Sequence, residues 1–341
     1  MSFRYYALIG PFRIILWKGE PRLNSRVRIS VISAICLLFA CMTNPVAASQ
    51  ADESAKTSSF ADEELIAHAL GGISGEAATN SYEAFLANYE KGYRRFEADL
   101  ILSSDGVLVA RHDWDSYLFD YIQSTLPDDE KEGPIPFRDF KSHKIMGKYK
   151  PMGIKELIRL LDMYPDTYLV TDTKETDPNI IRKQFEIIVK KANEINPDVL
   201  NRIVPEIYSE DMLQIVRSVY AFPEMMLSVY MEDIPDDEAL RILQEYQLTL
   251  IAIPENRADA KFLRKLNEQH VHVYVHTINS VEDYQRLKKL GVHGIYSDFL
   301  YKQEIELDLI RQARTAEDKS GFSKRMVQNM VGWMTKIMPK S

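Results

Sequence analysis

The sequence predicts a single-domain (β/α)8 TIM barrel, a fold of the α/β class. Three observations lead there. Short β-rich runs alternate with stretches of helical periodicity between residues 64 and 298. That span is roughly the 250 residues eight βα units require. Polar, chemistry-bearing side chains also recur at the ends of the runs, where a barrel carries its functional loops. With 341 residues, 45% of them hydrophobic, the chain can bury a sizeable core. A doubly wound open sheet is the rival, but no glycine-rich phosphate loop follows any early run.

Residues 1–48 have a different character. Arg4, Arg13, Lys18, Arg22, Arg26 and Arg28 precede an apolar run from Ile29 to Met42. This run of 14 residues falls short of the ~20 a spanning helix needs. Pro45-Val46-Ala47-Ala48 then supplies small residues of the kind signal peptidase accepts. The expectation is a signal peptide cleaved near Ala48, with an uncleaved signal anchor as the alternative and lipidation at Cys41 ranked last. Each of these places the domain outside the cell or at its envelope. Both cysteines, Cys36 and Cys41, lie in the leader, so the exported part relies on its core and not on disulfides. Removing the leader, with its net +5, takes the formal charge from −8 to −13, which disfavours nucleic acid as a partner, and none is expected.

Residues 49–63 are polar and small and read as a linker, with the barrel expected from 64 to 312. Its strand candidates are 64–70, 94–103, 167–174, 202–209, 225–231, 248–254, 271–278 and 294–298. Helical spacing marks 82–91, 153–164, 178–196, 210–219, 236–247, 258–269 and 281–290. A further short strand is expected at 107–113, after the turn Ser103-Ser104-Asp105-Gly106. Residues 114–150 then read as a long polar loop, of a length that usually belongs to lids or binding elements. Its acidic stretch DDEKEG reads as solvated. The tail 313–341 is basic and amphipathic. From Lys319 onward it has five basic residues and no acidic one, with Phe322, Met326, Met330, Trp333, Met334 and Ile337 at helical spacing. It is either a membrane-surface helix or a helix packed on the domain.

The chemistry concentrates at strand ends. His68 falls near the end of the first run, Glu97 and Asp99 lie in the second, His112 and Asp113 close the run at 107–113, and Asp172 and Lys174 end the third. Period-2 alternation sets Glu97 and Asp99 on one face, where they repel unless a cation joins them. Oxygen ligands without cysteine favour one hard divalent ion, Mg²⁺ or Ca²⁺, held by Glu97, Asp99 and Asp172. Such an ion, with Lys174 beside it, suits an anion such as a phosphodiester. Two histidines titrating near neutrality suit proton transfer on either side. His143, His270, His272 and His293 lack this context and are assigned no role.

These residues resemble the glycerophosphodiester phosphodiesterase family of the phosphatidylinositol-specific phospholipase C-like barrels, over about Ile66 to Asp298. "AHALGG" sits at the family's HRG motif, and "TNSYEAFLANYEKGYRRFEADLILSSDGVLVARHD" follows its ordered run of ENT, AF, G, E-x-D, DG and HD. "PMGIKELIRLL", "VYVHTIN" and "GVHGIYSD" match three later segments. The resemblance implies His68 and His112 as acid and base, Glu97, Asp99 and Asp172 as metal ligands, and Lys174 as a phosphate contact. It also implies Asn80, Tyr274 and His276 as substrate-binding residues. Ala69 replaces the Arg of HRG, Thr79 the Glu of ENT, and His276 the Trp of the family's WTVN. Asp-x-Lys in the third strand is similar to the sphingomyelinase D branch, which leaves a cyclic phosphate. The implied function is metal-dependent hydrolysis of glycerophosphodiesters, phospholipid headgroups or a glycerol-phosphate polymer. Formation of a cyclic phosphate, or a non-catalytic envelope protein that binds phosphodiesters, is the alternative.

Overall fold

The computed structural model describes residues 59–123, 126, 131 and 133–320. The leader, residues 49–58, most of DDEKEG and the tail from 321 onward lie outside the described residues.

Eight parallel strands close a barrel: β1 (Leu65–Ala67), β2 (Arg95–Leu102), β4 (Tyr168–Asp172), β5 (Ile203–Ile207), β6 (Met226–Ser228), β7 (Leu250–Pro254), β8 (His272–His276) and β9 (Gly294–Ser297). Closure comes from β1, which pairs with both β2 and β9. The short β3 (Leu108–Ala110) hangs antiparallel on the outer end of β2, as its turn predicts. Every predicted strand is present, shorter by one to three residues at most ends because the last residues turn into loops.

The helices follow: α1 (Tyr82–Glu90), α2 (Ser116–Ile122), α3 (Phe137–Ser142), α4 (Ile154–Met163), α5 (Pro178–Ile195), α6 (Glu210–Val219), α7 (Asp236–Tyr246), α8 (Ala260–Glu268), α9 (Val281–Leu290) and α10 (Lys302–Ser320). Ser81, Ser209 and Ser280 cap α1, α6 and α9, each hydroxyl accepting the N–H three residues on at 3.1–3.2 Å. No helix among the described residues is long and apolar enough to cross a membrane.

Alternation along β2 shows how the core divides. Phe96, Ala98 and Leu100 point outward into the layer between sheet and helices, whereas Arg95, Glu97 and Asp99 point into the barrel. At the strands' N-terminal end the interior is filled by Phe60, Ile66, Tyr168, Val170, Tyr274 and their neighbours.

Three boundaries differ from expectation. Packing into the barrel begins ahead of 64: Phe60 is wholly buried between the rings of Tyr168 and Tyr274, at centroid distances of 5.9 and 5.6 Å. A single aromatic residue in a polar stretch gives no periodic signal, yet here it closes one end of the barrel. The expected end of the domain at 312 falls within α10, which continues to Ser320. The described residues of the predicted loop 114–150 form an insert with α2, α3 and its own core, in which Trp114, Phe119, Leu126, Ile135 and Phe140 pack on Val109 of β3.

Candidate active site

Lateral register sets the site. Asp99 of β2 pairs directly with Asp172 of β4, and Glu97 lies two residues back on the same face. Ligating oxygens of these three buried carboxylates all fall within 4.8 Å of one another. Glu97 Oε2 accepts the Ala69 N–H at 2.6 Å, while Oε1 is buried without a partner. Lys174 reaches in, its Nζ bonded to Asp99 Oδ1 and, at 2.7 Å, to Asp172 Oδ2. Asp172 also accepts the hydroxyls of Tyr208 and Tyr230, the latter at 2.8–2.9 Å.

The charges divide unequally. Burial, then the neighbouring Asp99, pushes the Glu97 carboxyl well above the usual range. Burial acts the same way on Asp99, but Lys174 and the two imidazoles overcome it and hold it at about 2. Burial opposes the charge on Lys174, and Asp99 and Asp172 more than restore it. One ammonium thus stands among three carboxylates. An all-oxygen donor set with an orphaned buried oxygen fits a hard divalent cation.

Each histidine has its own carboxylate. His68 bonds Asp298 Oδ1 through Nδ1 at 2.8 Å, and His112 bonds Asp113 Oδ2 through Nδ1 at 2.6 Å. An ionised carboxylate only accepts, so Nδ1 carries the proton in both rings and Nε2 is left for other work. Burial works to remove the second proton from His68. The Asp298 bond and the charges of Glu97 and Asp99 outweigh it, lifting the ring to about 9. Asn279 holds Asp298 by donating to Oδ2 at 2.9 Å and accepting the Asp298 N–H at 2.8 Å. The loop after His68 is unusual: Ala69 and Leu70, with φ of 48° and 66°, lie in the left-handed region. Gly71 follows at φ 85°, where an added Cβ would meet the Asn88 side chain at 2.4 Å. Ala69, at the family's Arg position, is buried and faces the carboxylates with its backbone N–H.

One expected substrate contact is corrected. Tyr274 sits inside the barrel at the opposite end from the site, its hydroxyl donating to Glu63 O at 2.8 Å; a mid-strand ring this long reaches the closed end. Asn80 is committed to Asp99, donating to Oδ2 at 2.7 Å and accepting the Asp99 N–H at 3.1 Å, so it positions a carboxylate. His276 does lie at the site end, ring to ring with Tyr230 at 5.1 Å. Burial lowers it to about 4.

Asp298, Asn279, Tyr208, Tyr230 and Glu206 were not singled out from the sequence. Asp298 and Asn279 lie within the quoted segments GIYSD and VHTIN, a signal that was available. The tyrosines and Glu206 gave none. Glu206 is buried on β5, and burial followed by the charge of Asp172 raises it to about 8.

A closed barrel whose C-terminal mouth gathers buried acids between two His–Asp pairs has the form of a metal-assisted hydrolase. The family model for the glycerophosphoryl diester phosphodiesterase family matches residues 72–302. The chain belongs to that family and is by membership a phosphoric diester hydrolase. Solved structures share the fold. A phosphodiesterase from Oleispira antarctica, in complex with the product sn-glycerol-3-phosphate, is 19% identical with a TM-score of 0.58, covering 72% of this chain and 96% of its own. A glycerophosphodiester phosphodiesterase from Parabacteroides distasonis is 17% identical with a TM-score of 0.58, covering 73% and 98%. One from Thermotoga maritima is 17% identical with a TM-score of 0.52, covering 72% and 96%. No curated protein matches the sequence significantly.

Proposed function

We propose that this protein is an exported, metal-dependent phosphodiesterase that releases an alcohol from glycerophosphodiesters or related lipid headgroups through His68 and His112. The observation that carries this reading is the pair of His–Asp dyads beside one buried carboxylate triad: the charges of both imidazoles act on Asp99. The product bound by the Oleispira antarctica protein supports the substrate class.

Glu97, Asp99 and Asp172 would hold the cation. Bound there, it neutralises phosphate charge and stabilises the transition state. Lys174 binds a non-bridging phosphate oxygen. His112 removes the proton from the glycerol hydroxyl beside the phosphate as that oxygen bonds to phosphorus. His68, whose proton is held above the ordinary imidazole range, delivers it to the departing alcohol oxygen as that P–O bond breaks. Water then opens the cyclic phosphate, with the two imidazoles exchanging roles. A product that stops at the cyclic phosphate, visible by phosphorus NMR, would mark the sphingomyelinase D-like course.

Glycerophosphocholine turnover tests this. We expect chelation to abolish it and His68→Ala or His112→Ala each to lower kcat by about 10²–10⁴-fold. With a p-nitrophenyl leaving group, which needs no proton, His68→Ala should recover and His112→Ala should not. Full activity in both variants would sink the mechanism. The leader supports export, and N-terminal sequencing of the secreted protein should begin near residue 49; a protein retained in the cytoplasm would contradict it.

A further inference from the structure

Asp113 is held by more than the histidine beside it. Its Oδ2 takes both His112 Nδ1, at 2.6 Å, and the hydroxyl of Tyr117, at 2.7 Å, while Oδ1 accepts the Asp115 N–H at 2.8 Å. Tyr117 lies in the first turn of α2, within the insert. The other face of α2 is fixed: Leu118, Phe119 and Ile122 are buried. Below it the wholly buried Arg111 guanidinium lies 4.2 Å from the centre of the Phe119 ring and 4.8 Å from that of Trp114. Arg111 also donates to Asp113 O at 2.5 Å and to Gln123 Oε1 at 2.8 Å. The helix and the segment bearing His112 are therefore one packed unit. Tyr117 itself is 57% exposed, so its ring contributes little to the core.

We propose that Tyr117 is a positioning residue for phosphodiester cleavage, fixing the Asp113 carboxylate and through it the ring plane of His112. Held only by the imidazole and the backbone N–H of the adjacent Asp115, the carboxylate can still swing with its own loop and take the ring with it. A second donor on the same oxygen, from a helix anchored independently, removes that freedom. Burial opposes the charge on Asp113, and the Tyr117 hydroxyl is the largest of the contacts that restore it. The contrast with His68 is direct, because Asp298 is fixed by Asn279 from the barrel itself. The insert thus completes one of the two dyads, and its sequence bears on turnover.

This inference rests on His112 being one of the catalytic pair, and the test separates the two. In the full chain, with glycerophosphocholine, Tyr117→Phe should lower kcat about tenfold, as for loss of one hydrogen bond to a charged group. KM should stay within about twofold, and the melting temperature should fall by no more than a few degrees, since the ring stays in place and only one hydrogen bond at an exposed side chain is lost. In a His112→Ala background the same substitution should have no further effect, because no ring is left to orient. Tyr89→Phe is the control: its hydroxyl donates to Asp166 Oδ1 at 3.1 Å, among residues of neither dyad, and kcat should be unchanged. Normal kcat in Tyr117→Phe, a change in KM alone, or an undiminished loss in the His112→Ala background would each overturn the proposal. Full turnover in His112→Ala would instead remove the reading beneath it.

Discussion

The two ends of β2 face the same interior and carry opposite charges in opposite circumstances. At the closed end, Arg95 is wholly buried but has partners. Its guanidinium donates to Phe60 O at 2.8 Å and Ser59 O at 2.6 Å, and lies 4.2 Å from the centre of the Tyr168 ring. At the open end, Asp99 shares one lysine with Asp172, and Glu97 Oε1 has no partner. One alternation delivers three charged side chains inward; partners supplied by the chain make the first structural, hold Asp99 between Lys174 and Asn80, and leave Glu97 with an oxygen free to bind. Unmet demand, more than charge itself, marks the site.

The sharpest way to break this comparison is at the open end. Glu97→Gln keeps the shape and an acceptor for the Ala69 N–H but removes an ionisable group. Turnover should fall by about 10³-fold or more and isothermal titration should show the divalent affinity lost. Stability should hold or rise by about 1 kcal/mol, because a poorly compensated buried carboxyl is gone. Clear destabilisation would make Glu97 a structural residue. The reverse is expected at the closed end. Phe60→Ala should cost about 3–4 kcal/mol in denaturant unfolding, the usual penalty for an aromatic cavity, with kcat of the folded protein unchanged; a selective loss of kcat would mean that the plug and the mouth are coupled.

The smallest expected effect concerns pH. The folded pKa of His68, about 9, lies above its ordinary 6.5. The extra proton therefore stabilises the metal-free fold fully below pH 6.5, and that contribution is lost as pH rises through 9. With the ring partly exposed, the loss should be on the order of 1–2 kcal/mol. Asp298→Asn should flatten that slope in chemical denaturation between pH 6 and 10. So should a saturating divalent cation, because the charges of Glu97 and Asp99 also hold the proton. An unchanged slope in both cases would show that His68 is not its source.

Much of the frame was legible because it rests on local periodicity. The strands, the added β3 and the intervening helices all announced themselves through spacing. The clustering of Glu97, Asp99 and Asp172 was legible because charged residues in apolar runs are rarely idle. The orientation of Tyr274 was not, since period 2 says that a side chain points inward but not toward which end it leans. Asn80 and Asp298 show the same limit from the other side. Each has its role through a partner far along the chain, Asn80 through Asp99 and Asp298 through His68.

By itself, then, the sequence determined the barrel, the family and the chemical types gathered at one mouth, since alternation and motif order are local properties. The tertiary structure alone decided which of those groups are satisfied. Barrel closure set Asp298 on His68, the insert carried Tyr117 to Asp113, and Phe60 folded back beneath the sheet. Hydrogen bonds and packing between distant segments form only once the chain has closed, and they separate a buried charge that holds the protein together from one that is ready to act.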